Sequence, residues 1–364
     1  MTDTDRSRGR NIAQAALFLA ALYLFFASID LMSAAFKLAG SDFARTLIST
    51  AADPVAGLII GFLTTSLVQS SSSTTSIVVG LVAAGSLPLR LAVPIIMGAN
   101  IGTTVTNTIV SIGHVTRPRE FERAFAASTV HDFFNILAVI VILPLECLLH
   151  PVEKLAILME SAFAGIGGLH LASPLKAIVK PLTGLLADLI PHAAPLLIIA
   201  LLVLFFSLSR MVRIMRTAVL TRVEVLFDRI LFRNDVASFS LGALLTATVQ
   251  SSSATTSLVV PLVGTKVLTV RKIFPYTLGA NIGTTVTAIL ASLSTGSEAA
   301  ITVALSHLCF NIIGIVLLWP AKGLPIWLAN AAGRLAARSK GNTVLVLAVY
   351  IGLHIIPILY IFLR

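Results

Sequence analysis

Long apolar runs separated by short polar segments are the first pattern along the chain. Several runs reach or approach the roughly 20 residues with which a helix crosses the hydrocarbon core of a bilayer. Other apolar segments are interrupted by glycine, proline or groups of hydroxyl side chains. The pattern predicts an all-α integral membrane protein in which some helices are broken. The uninterrupted apolar runs are residues 12–39, 133–149, 193–208, 301–319 and 343–363.

The composition agrees with a membrane environment. Of the 364 residues, 57% are hydrophobic and 12% are charged, and the mean hydropathy is +0.97. About a quarter of the residues of a soluble globular chain are charged. The net charge of +10 comes from basic residues in connecting segments. This is the positive-inside pattern of membrane proteins, so the charge does not indicate nucleic-acid binding.

The N-terminus carries Arg6, Arg8 and Arg10 ahead of the first apolar run. That run is too long for a signal peptide, and no clear cleavage site follows it. We therefore interpret it as a first membrane anchor with a cytoplasmic N-terminus. The expected location is the cell (inner) membrane, which the chain crosses several times.

Two polar blocks of the chain occur twice. QSSSSTTSIVV begins at Gln69, and QSSSATTSLVV begins at Gln250. GANIGTTVT begins at Gly98 and again at Gly279, so both blocks recur at the same separation, without a gap between them. Between residues 69–106 and 250–287, 23 of 38 positions are identical, a similarity that chance does not produce. The chain therefore contains an internal duplication.

A third, weaker block completes each half. It recurs at a slightly shorter separation than the first two, so the preceding loops differ in length. We expect a first transmembrane repeat at residues 1–150, a connecting segment at 151–192, and a second repeat with a terminal helix at 193–364. The matching residues are His131, Phe134 and Asn135 in the first half and His307, Phe310 and Asn311 in the second.

Duplicated membrane chains with broken polar segments at matching places are typical of secondary transporters, whose sites lie near the midplane where the repeats meet. The spacing does not distinguish parallel from inverted repeats. We favour inverted repeats, because broken helices that meet tip to tip suit that arrangement.

The hydroxyl-rich run at residues 69–76 has no net charge and lies between apolar segments. Non-helical backbone at membrane depth occurs only where it is buried in protein or lines a cavity, so a re-entrant or broken helix is expected here. Helix N-termini and hydroxyl groups would hold an anion, and unwound carbonyls would hold sodium. The alternative is close helix packing, since Gly57, Gly98 and Gly279 each begin a GxxxG pattern.

Asp132 is a carboxylate within an apolar segment, and such groups are functional candidates. The matching position in the second half is Leu308. Asp132 therefore indicates an additional cation site that belongs to the first half. His131 and His307 match each other, which favours a structural role, for example a hydrogen bond that fixes a helix.

At these residues the sequence resembles the type II sodium/phosphate cotransporter family, and specifically a bacterial member. That family carries a QSSS motif in each of two repeats, and the resemblance covers most of the chain. The motifs that carry it are QSSS at 69–72, PIIMGANIGT at 94–103, EFERAF at 120–125, TVHDFFN at 129–135, LPLE at 143–146, VQSSS at 249–253 and LGANIGTT at 278–285.

The resemblance implies an inverted-repeat transporter that brings divalent phosphate into the cell with sodium, and no cofactor beyond this coupling ion. It implies a shared sodium site at Ser72, Gln250, Thr284 and Thr287, and a second one at Asp132 and Asn135. Family members with this aspartate move three sodium ions per phosphate and are electrogenic. Phosphate is expected between the two QSSS turns, at Gln69, Ser70, Ser71, Ser72, Ser251, Ser252, Ser253, Asn100, Thr103 and Asn281.

Three positions depart from the family pattern. Ala280 replaces a sodium-ligating serine, and His114 and Thr116 stand where other polar partners are expected. These changes affect the expected ion coordination and stoichiometry, not the expected function.

Three other functions use similar residues. Hydroxyl and N–H groups do not by themselves distinguish phosphate from another oxyanion such as sulfate or arsenate. A passive anion channel would use similar residues. An intramembrane hydrolase is disfavoured, because there is no GxSxG motif and adjacent His131 and Asp132 point about 100° apart on a helix. The expected partners are therefore inorganic phosphate, sodium and the lipid bilayer, without nucleic acid.

Overall fold

The computed structural model describes residues 3–51, 53–165, 168–226 and 234–362. Within these ranges the chain is helical and contains no β-strand, which confirms the all-α prediction. A 3₁₀ turn at Gly102–Thr104 separates α4 from α5. The helices are α1 (Asp3–Ala51), α2 (Pro54–Val68), α3 (Ser71–Ala83), α4 (Leu89–Ile101), α5 (Val105–Ile112), α6 (Pro118–Leu149), α7 (Pro151–Gly165), α8 (Gly168–Leu189), α9 (Ala193–Leu226), α10 (Asp235–Val249), α11 (Ser252–Ser257), α12 (Val259–Gly264), α13 (Val270–Thr295), α14 (Glu298–Leu318), α15 (Gly323–Ala337) and α16 (Lys340–Phe362).

Six helical segments in the described part of the chain are long and apolar enough to cross a membrane. The apolar helical segments on either side of the QSSS motifs are shorter, with 10–17 residues each, and fall below the length that spans a bilayer. They are Pro54–Val68, Ser71–Ala83, Asp235–Val249 and Ser252–Gly264, the last of which comprises α11 and α12. The six segments are Ile12–Ala51, Leu89–Ile112, Pro118–Leu149, Ala193–Met215, Val270–Thr295 and Glu298–Leu318.

Both QSSS motifs break a helix in the same way. Gln69 ends α2 and Gln250 ends α10, each in the left-handed backbone conformation with φ of 58° and 60°. Left-handed backbone is uncommon for a residue other than glycine. The next serine then caps the following helix: Ser70 accepts a hydrogen bond from the Ser73 N–H, and Ser251 accepts one from the N–H of the matching residue, Ala254, both at 3.2 Å. A helix therefore ends and another begins at each QSSS motif, as the sequence predicts for a broken helix.

The first broken helix folds back on itself. Thr65 on α2 donates a hydrogen bond of 2.9 Å to Thr74 on α3, although the two residues are nine positions apart. In a continuous helix nine residues would separate them by about 13 Å along the axis. The QSSS turn therefore lies at the tip of a helical hairpin.

Glycines bring the broken helices into backbone contact with their neighbours. A Cβ atom at Gly61 would lie 1.8 Å from the Ile95 carbonyl oxygen on α4, and one at Gly242 would lie 2.0 Å from the Tyr276 carbonyl oxygen on α13. Only glycine permits such an approach, as at other close helix contacts in membranes. Glycine therefore serves close helix packing at these contacts, which is the alternative that the GxxxG patterns suggest. This packing positions the QSSS turns.

Buried side chains of both halves share the same apolar clusters. Phe134 on α6 packs edge-on against Phe274 on α13, with 6.1 Å between ring centroids. The Arg123 guanidinium on α6 donates to the Gly264 carbonyl at the end of α12. The halves therefore form one packed unit, and the predicted boundaries between them stay a prediction.

Candidate ion-binding site

Each QSSS turn is joined to the helix that carries the GANIGTT block. The Gln250 side-chain oxygen Oε1 accepts a hydrogen bond of 2.8 Å from the Thr287 hydroxyl on α13. In the first half, Gln69 Oε1 accepts one of 2.9 Å from the Thr106 hydroxyl on α5. Each glutamine also donates from Nε2 to the backbone three residues earlier, at Ser66 and Ala247. The duplicated sequence thus produces the same local arrangement twice.

The two halves meet at Ser72. Its hydroxyl oxygen lies 3.4 Å from both the Gln250 carbonyl oxygen and the Thr287 hydroxyl oxygen. All three residues are buried, Gln250 with 5% of its surface exposed. Four uncharged oxygens are therefore close together: Ser72 Oγ, Gln250 O, Gln250 Oε1 and Thr287 Oγ1.

This oxygen cluster suits a hard monovalent cation. A distance of 3.4 Å is long for an O–H···O hydrogen bond, which is usually about 2.5–3.0 Å. Neighbouring oxygens around an octahedral ion with metal–oxygen distances of about 2.4 Å, as for Ca²⁺, are roughly 3.4 Å apart. Na⁺ has nearly the same radius and needs less negative charge around it. The structure thus brings together Ser72, Gln250 and Thr287 from the predicted sodium site.

The fourth predicted member, Thr284, lies one turn before Thr287 on α13. Its hydroxyl donates to the Ala280 carbonyl of its own helix at 2.9 Å. The side chain is buried, so its remaining lone pairs face protein and not water. The described contacts do not bring it to Ser72.

The remaining serines of the two motifs are placed at the helix starts. Ser70 and Ser251 act as caps, while Ser71 and Ser252 are the first residues of α3 and α11 and are buried. Ser253 donates a hydrogen bond of 3.1 Å to the Thr103 carbonyl oxygen in the opposite half. The first-turn N–H groups of a helix have no partner within it and carry partial positive charge. The N-terminus of α3 therefore offers donors to an anion beside the oxygen cluster.

Asn281 lies in a hydrogen-bonded brace between the halves. Its Oδ1 accepts a hydrogen bond of 2.5 Å from His131 Nε2, and its Nδ2 donates one of 2.9 Å to Asn135 Oδ1. Asn135 in turn donates a hydrogen bond of 2.9 Å to the Asn100 carbonyl oxygen. These side chains on α6 and α13 are all buried.

Asn100 repeats this brace from the other half. His307 Nε2 lies 2.9 Å from Asn100 Oδ1, and Asn100 Nδ2 donates a hydrogen bond of 3.0 Å to Asn311 Oδ1. Asn311 donates to the His307 carbonyl oxygen at 3.0 Å. Each GANIGTT asparagine therefore binds the histidine and asparagine of the opposite half, and these hydrogen bonds agree with the predicted structural role of both histidines.

The backbone acceptors fix the direction of every bond in the brace. Because Asn135 donates its amide hydrogen to a carbonyl, its Oδ1 must accept from Asn281 Nδ2. The Oδ1 of Asn281 then faces His131 and must accept, so His131 carries its hydrogen on Nε2. The same reasoning places the hydrogen of His307 on Nε2. Both imidazoles donate from Nε2, and their Nδ1 atoms have no hydrogen-bond partner within the described residues.

Asp132 lies beside this brace on α6. It is 7% exposed, and its Oδ2 atom has no hydrogen-bond partner in the described part of the chain. The hydroxyl of Tyr350 on the terminal helix α16 lies against the carboxylate. A buried carboxylate is suited to bind a cation, and Asn135, one turn along, offers a further oxygen.

The three positions that depart from the family pattern lie as follows. Ala280 is fully buried and has no side-chain oxygen. His114 Nδ1 lies 3.1 Å from Glu120 Oε2 near the start of α6, and Thr116 is exposed in the preceding loop. Their described contacts do not join the oxygen cluster at Ser72.

Sequence reasoning missed Thr106 and the Asn107–Thr256 pair. Asn107 Nδ2 lies 2.9 Å from Thr256 Oγ1, and the threonine hydroxyl lies 3.1 Å from Asn107 Oδ1. This pair joins α5 to α11 across the two halves. The sequence could have predicted Thr106, because the internal repeat pairs it with Thr287. No local sequence pattern indicates the Asn107–Thr256 contact.

Comparison with known proteins identifies the family of the chain. The family described as Na⁺/Pi-cotransporter matches residues 24–172 and 194–356. Sodium-dependent phosphate transport protein 2A of Rattus norvegicus is 35% identical over 94% of this chain and 66% of its own length. Sodium-dependent phosphate transport protein 2B of Homo sapiens is 34% identical over 94% of this chain and 64% of its own length.

The chain thus spans just under two thirds of the length of these curated relatives. No solved structure matches it. The family match covers most of the chain and includes both QSSS turns, both asparagine braces and Asp132. The chain belongs to the Na⁺/Pi-cotransporter family.

Proposed function

We propose that this protein imports inorganic phosphate by coupling its entry to sodium. The observation that carries the proposal is the buried set of uncharged oxygens where Ser72 meets Gln250 and Thr287, next to the N-terminus of α3. The names of the relatives, sodium-dependent phosphate transport proteins, support sodium as the ion and phosphate as the substrate.

Phosphate binds between the two QSSS turns. Its oxygens accept hydrogen bonds from serine hydroxyls and from the first-turn N–H groups of α3, where the helix dipole favours an anion. In the braces Asn100 and Asn281 each use their Oδ1 and one hydrogen of Nδ2, so a second amide hydrogen of each is left for a ligand. Both residues also hold the two halves in register around the ions.

Sodium binds at the Ser72 oxygen cluster and at Asp132. Two sodium ions balance divalent phosphate, and a third makes transport electrogenic. Each elementary charge moved inward gains about 2.3 kcal/mol per 100 mV of membrane potential. Asp132, which has no counterpart in the second half, supplies the negative charge for the additional ion. The protein operates as a multi-pass carrier in the cell (inner) membrane with its N-terminus in the cytoplasm, and it needs no cofactor.

Uptake of radiolabelled phosphate into proteoliposomes tests this function. An inward sodium gradient should drive accumulation, an equal potassium gradient should not, and an inside-negative potential should increase the rate. Flux that only dissipates a phosphate gradient, at equal rates in sodium and potassium, would contradict coupled transport and support a channel.

A second candidate substrate is another oxyanion, because hydroxyl and N–H donors bind several of them. Competition by unlabelled sulfate and arsenate at a fixed sodium gradient separates these possibilities. We expect arsenate to compete, since it has the charge and shape of phosphate, and sulfate to compete poorly. Stronger inhibition by sulfate than by unlabelled phosphate would contradict the assignment of phosphate.

A further inference from the structure

A cluster of metal-ligating side chains lies at the corner where α6 ends and α7 begins. It consists of Glu146, His150 and Glu153, each of which offers one ligand atom, and these atoms all lie within 4.8 Å of one another. Glu146 follows Asp132 on α6 by about four turns, or about 21 Å along the helix axis. The cluster is therefore separate from the ion sites that the proposed function uses.

Backbone contacts fix the position of the Glu146 carboxylate. Its Oε2 atom accepts a hydrogen bond of 2.7 Å from the Val152 N–H, and its Oε1 atom accepts one of 3.0 Å from the Glu153 N–H. Each carboxylate oxygen has two lone pairs, so each can still accept from one more partner. Glu146 is only 5% exposed. The structure thus holds one buried acidic ligand in a defined position.

The other two side chains are spaced like metal ligands. His150 Nδ1 lies 3.5 Å from Glu153 Oε2, whereas N–H···O hydrogen bonds are usually about 2.7–3.2 Å long. Tetrahedral ligands that lie about 2.1 Å from Zn²⁺ are roughly 3.4 Å apart. To reach this spacing, the most distant pair of the three ligand atoms would close by about 1.4 Å at most. Rotation of a side chain provides such a shift.

Two carboxylates at one corner need positive charge nearby. Glu146 is buried and the Glu153 side chain is 17% exposed, so water screens their repulsion only weakly. Arg90 Nε on α4 lies 3.5 Å from Glu153 Oε2, but it supplies a single charge and its side chain is 66% exposed. A divalent cation would balance both carboxylates, and the exposed Arg90 side chain can then turn to solvent.

A cavity of about 240 Å³ adjoins the cluster. Because one water molecule occupies about 30 Å³ in the liquid, the cavity has room for an ion and its remaining water ligands. It therefore gives an ion an entry path to the cluster. Its lining residues are Pro54, Arg90, Leu91, Pro94, Glu146, Cys147 and His150.

We propose that Glu146, His150 and Glu153 bind a divalent transition-metal ion such as Zn²⁺. An imidazole nitrogen with carboxylate oxygens suits Zn²⁺, whereas Mg²⁺ and Ca²⁺ prefer oxygen ligands alone. Three protein ligands leave the fourth tetrahedral position to water from the cavity. The bound ion joins the end of α6 to the first turn of α7 and competes with Arg90 for Glu153. The site does not depend on sodium-coupled phosphate transport.

Zinc binding by the purified full chain in detergent tests the site. It is measured by isothermal titration calorimetry after any affinity tag has been removed. His150→Asn and Glu153→Gln each remove one ligand, and asparagine tolerates the left-handed backbone of His150, with φ of 52°. Glu146 stays unchanged, because its carboxylate also caps the start of α7.

Two control variants separate this site from other zinc ligands. His192→Asn removes an exposed histidine from the segment before α9. Cys147→Ala removes the thiol that lines the same cavity. Melting temperatures without zinc show that each variant is folded, and the two ligand variants, which alter different side chains, test the site independently.

Wild-type protein should bind about one Zn²⁺ per chain, with a Kd in the low micromolar range. His150→Asn and Glu153→Gln should each weaken binding at least about tenfold, whereas both controls should stay within about twofold of wild type. Zinc at about 100 times its Kd should raise the melting temperature of the wild type by about 3 °C. The same zinc concentration should raise that of His150→Asn by less.

Equal zinc affinity in His150→Asn and His192→Asn would overturn the inference, and so would wild-type protein that binds no zinc. Loss of binding in Cys147→Ala alone would overturn it as well, because zinc would then be held by the thiol. Displacement of zinc by an equal concentration of Ca²⁺ would contradict a transition-metal site. Binding is measured without any flux, so a failure of phosphate transport leaves this test intact.

Discussion

Removing the Asn281 side chain should destabilise the protein more than removing an ordinary polar side chain does, because it breaks the hydrogen bonds of the brace. Asn281→Ala removes the hydrogen bonds to His131 and Asn135, whose side chains have no exposed surface. Water therefore cannot replace the lost partners. The substitution leaves one buried N–H donor and one buried carbonyl acceptor unsatisfied.

The expected cost follows from these two groups. Hydrogen bonds between membrane helices average about 0.6 kcal/mol, which gives a lower limit of roughly 1 kcal/mol for two. A buried polar group without a partner costs about 1–3 kcal/mol, which gives an upper limit of roughly 6 kcal/mol. We expect about 3 kcal/mol, and a fall in melting temperature of about 3–6 °C for a chain of this length.

The assay is thermal unfolding of detergent-solubilised protein, followed by fluorescence-detected size exclusion. Asn330→Ala is the matched control, because Asn330 is only partly buried and its amide bonds to Ile326 of its own helix. The control should melt within about 1 °C of wild type. If Asn281→Ala and Asn330→Ala lower the melting temperature equally, the brace does not hold the halves together and the reasoning is refuted.

The remaining predictions concern the ion sites and the glycine contacts. Asp132→Asn should leave sodium-dependent phosphate uptake but remove its dependence on membrane potential; uptake that still accelerates at inside-negative potential would exclude Asp132 from the charge-moving site. Thr287→Val should raise the sodium concentration for half-maximal uptake about tenfold, and normal sodium activation would contradict its place in the oxygen cluster. Gly279→Ala should lower the melting temperature by at least about 3 °C, because the new Cβ would lie 1.9 Å from the Phe239 carbonyl oxygen. Gly184→Ala, where nothing lies within 4 Å, is its control, and equal melting temperatures would show that α10 and α13 separate without cost.

The sequence was sufficient to predict where the helices break. A glutamine that ends one helix and a serine that caps the next are local features, so QSSS predicts the break wherever it occurs. The helices with the GANIGTT blocks did not stand out as membrane spans, because glycine, asparagine and threonine lower their hydropathy. The structure explains this: the apolar stretches of Leu89–Ile112 and Val270–Thr295 are 65% and 78% buried in protein, against 33% for Ile12–Ala51. Helices that face protein need not be apolar throughout.

The partners of the polar side chains were harder to predict. The sequence predicts Asn100 and Asn281 at phosphate, but their amides bind residues 146–211 positions away in the chain. Local spacing contains no information about such contacts. The internal repeat does provide some, since it relates Thr106 to Thr287 and so predicts the Thr106–Gln69 hydrogen bond from the Thr287–Gln250 one. Whether the repeats are inverted stays a prediction.

The most direct test of coupling uses a phosphate gradient as the only driving force and measures whether it moves radiolabelled sodium. Proteoliposomes with equal sodium on both sides receive an inward phosphate gradient at a clamped membrane potential. A sodium-coupled importer must take up sodium against its own rising gradient while phosphate enters, and the uptake must disappear when sulfate replaces phosphate. Phosphate entry without any net sodium uptake would contradict the account.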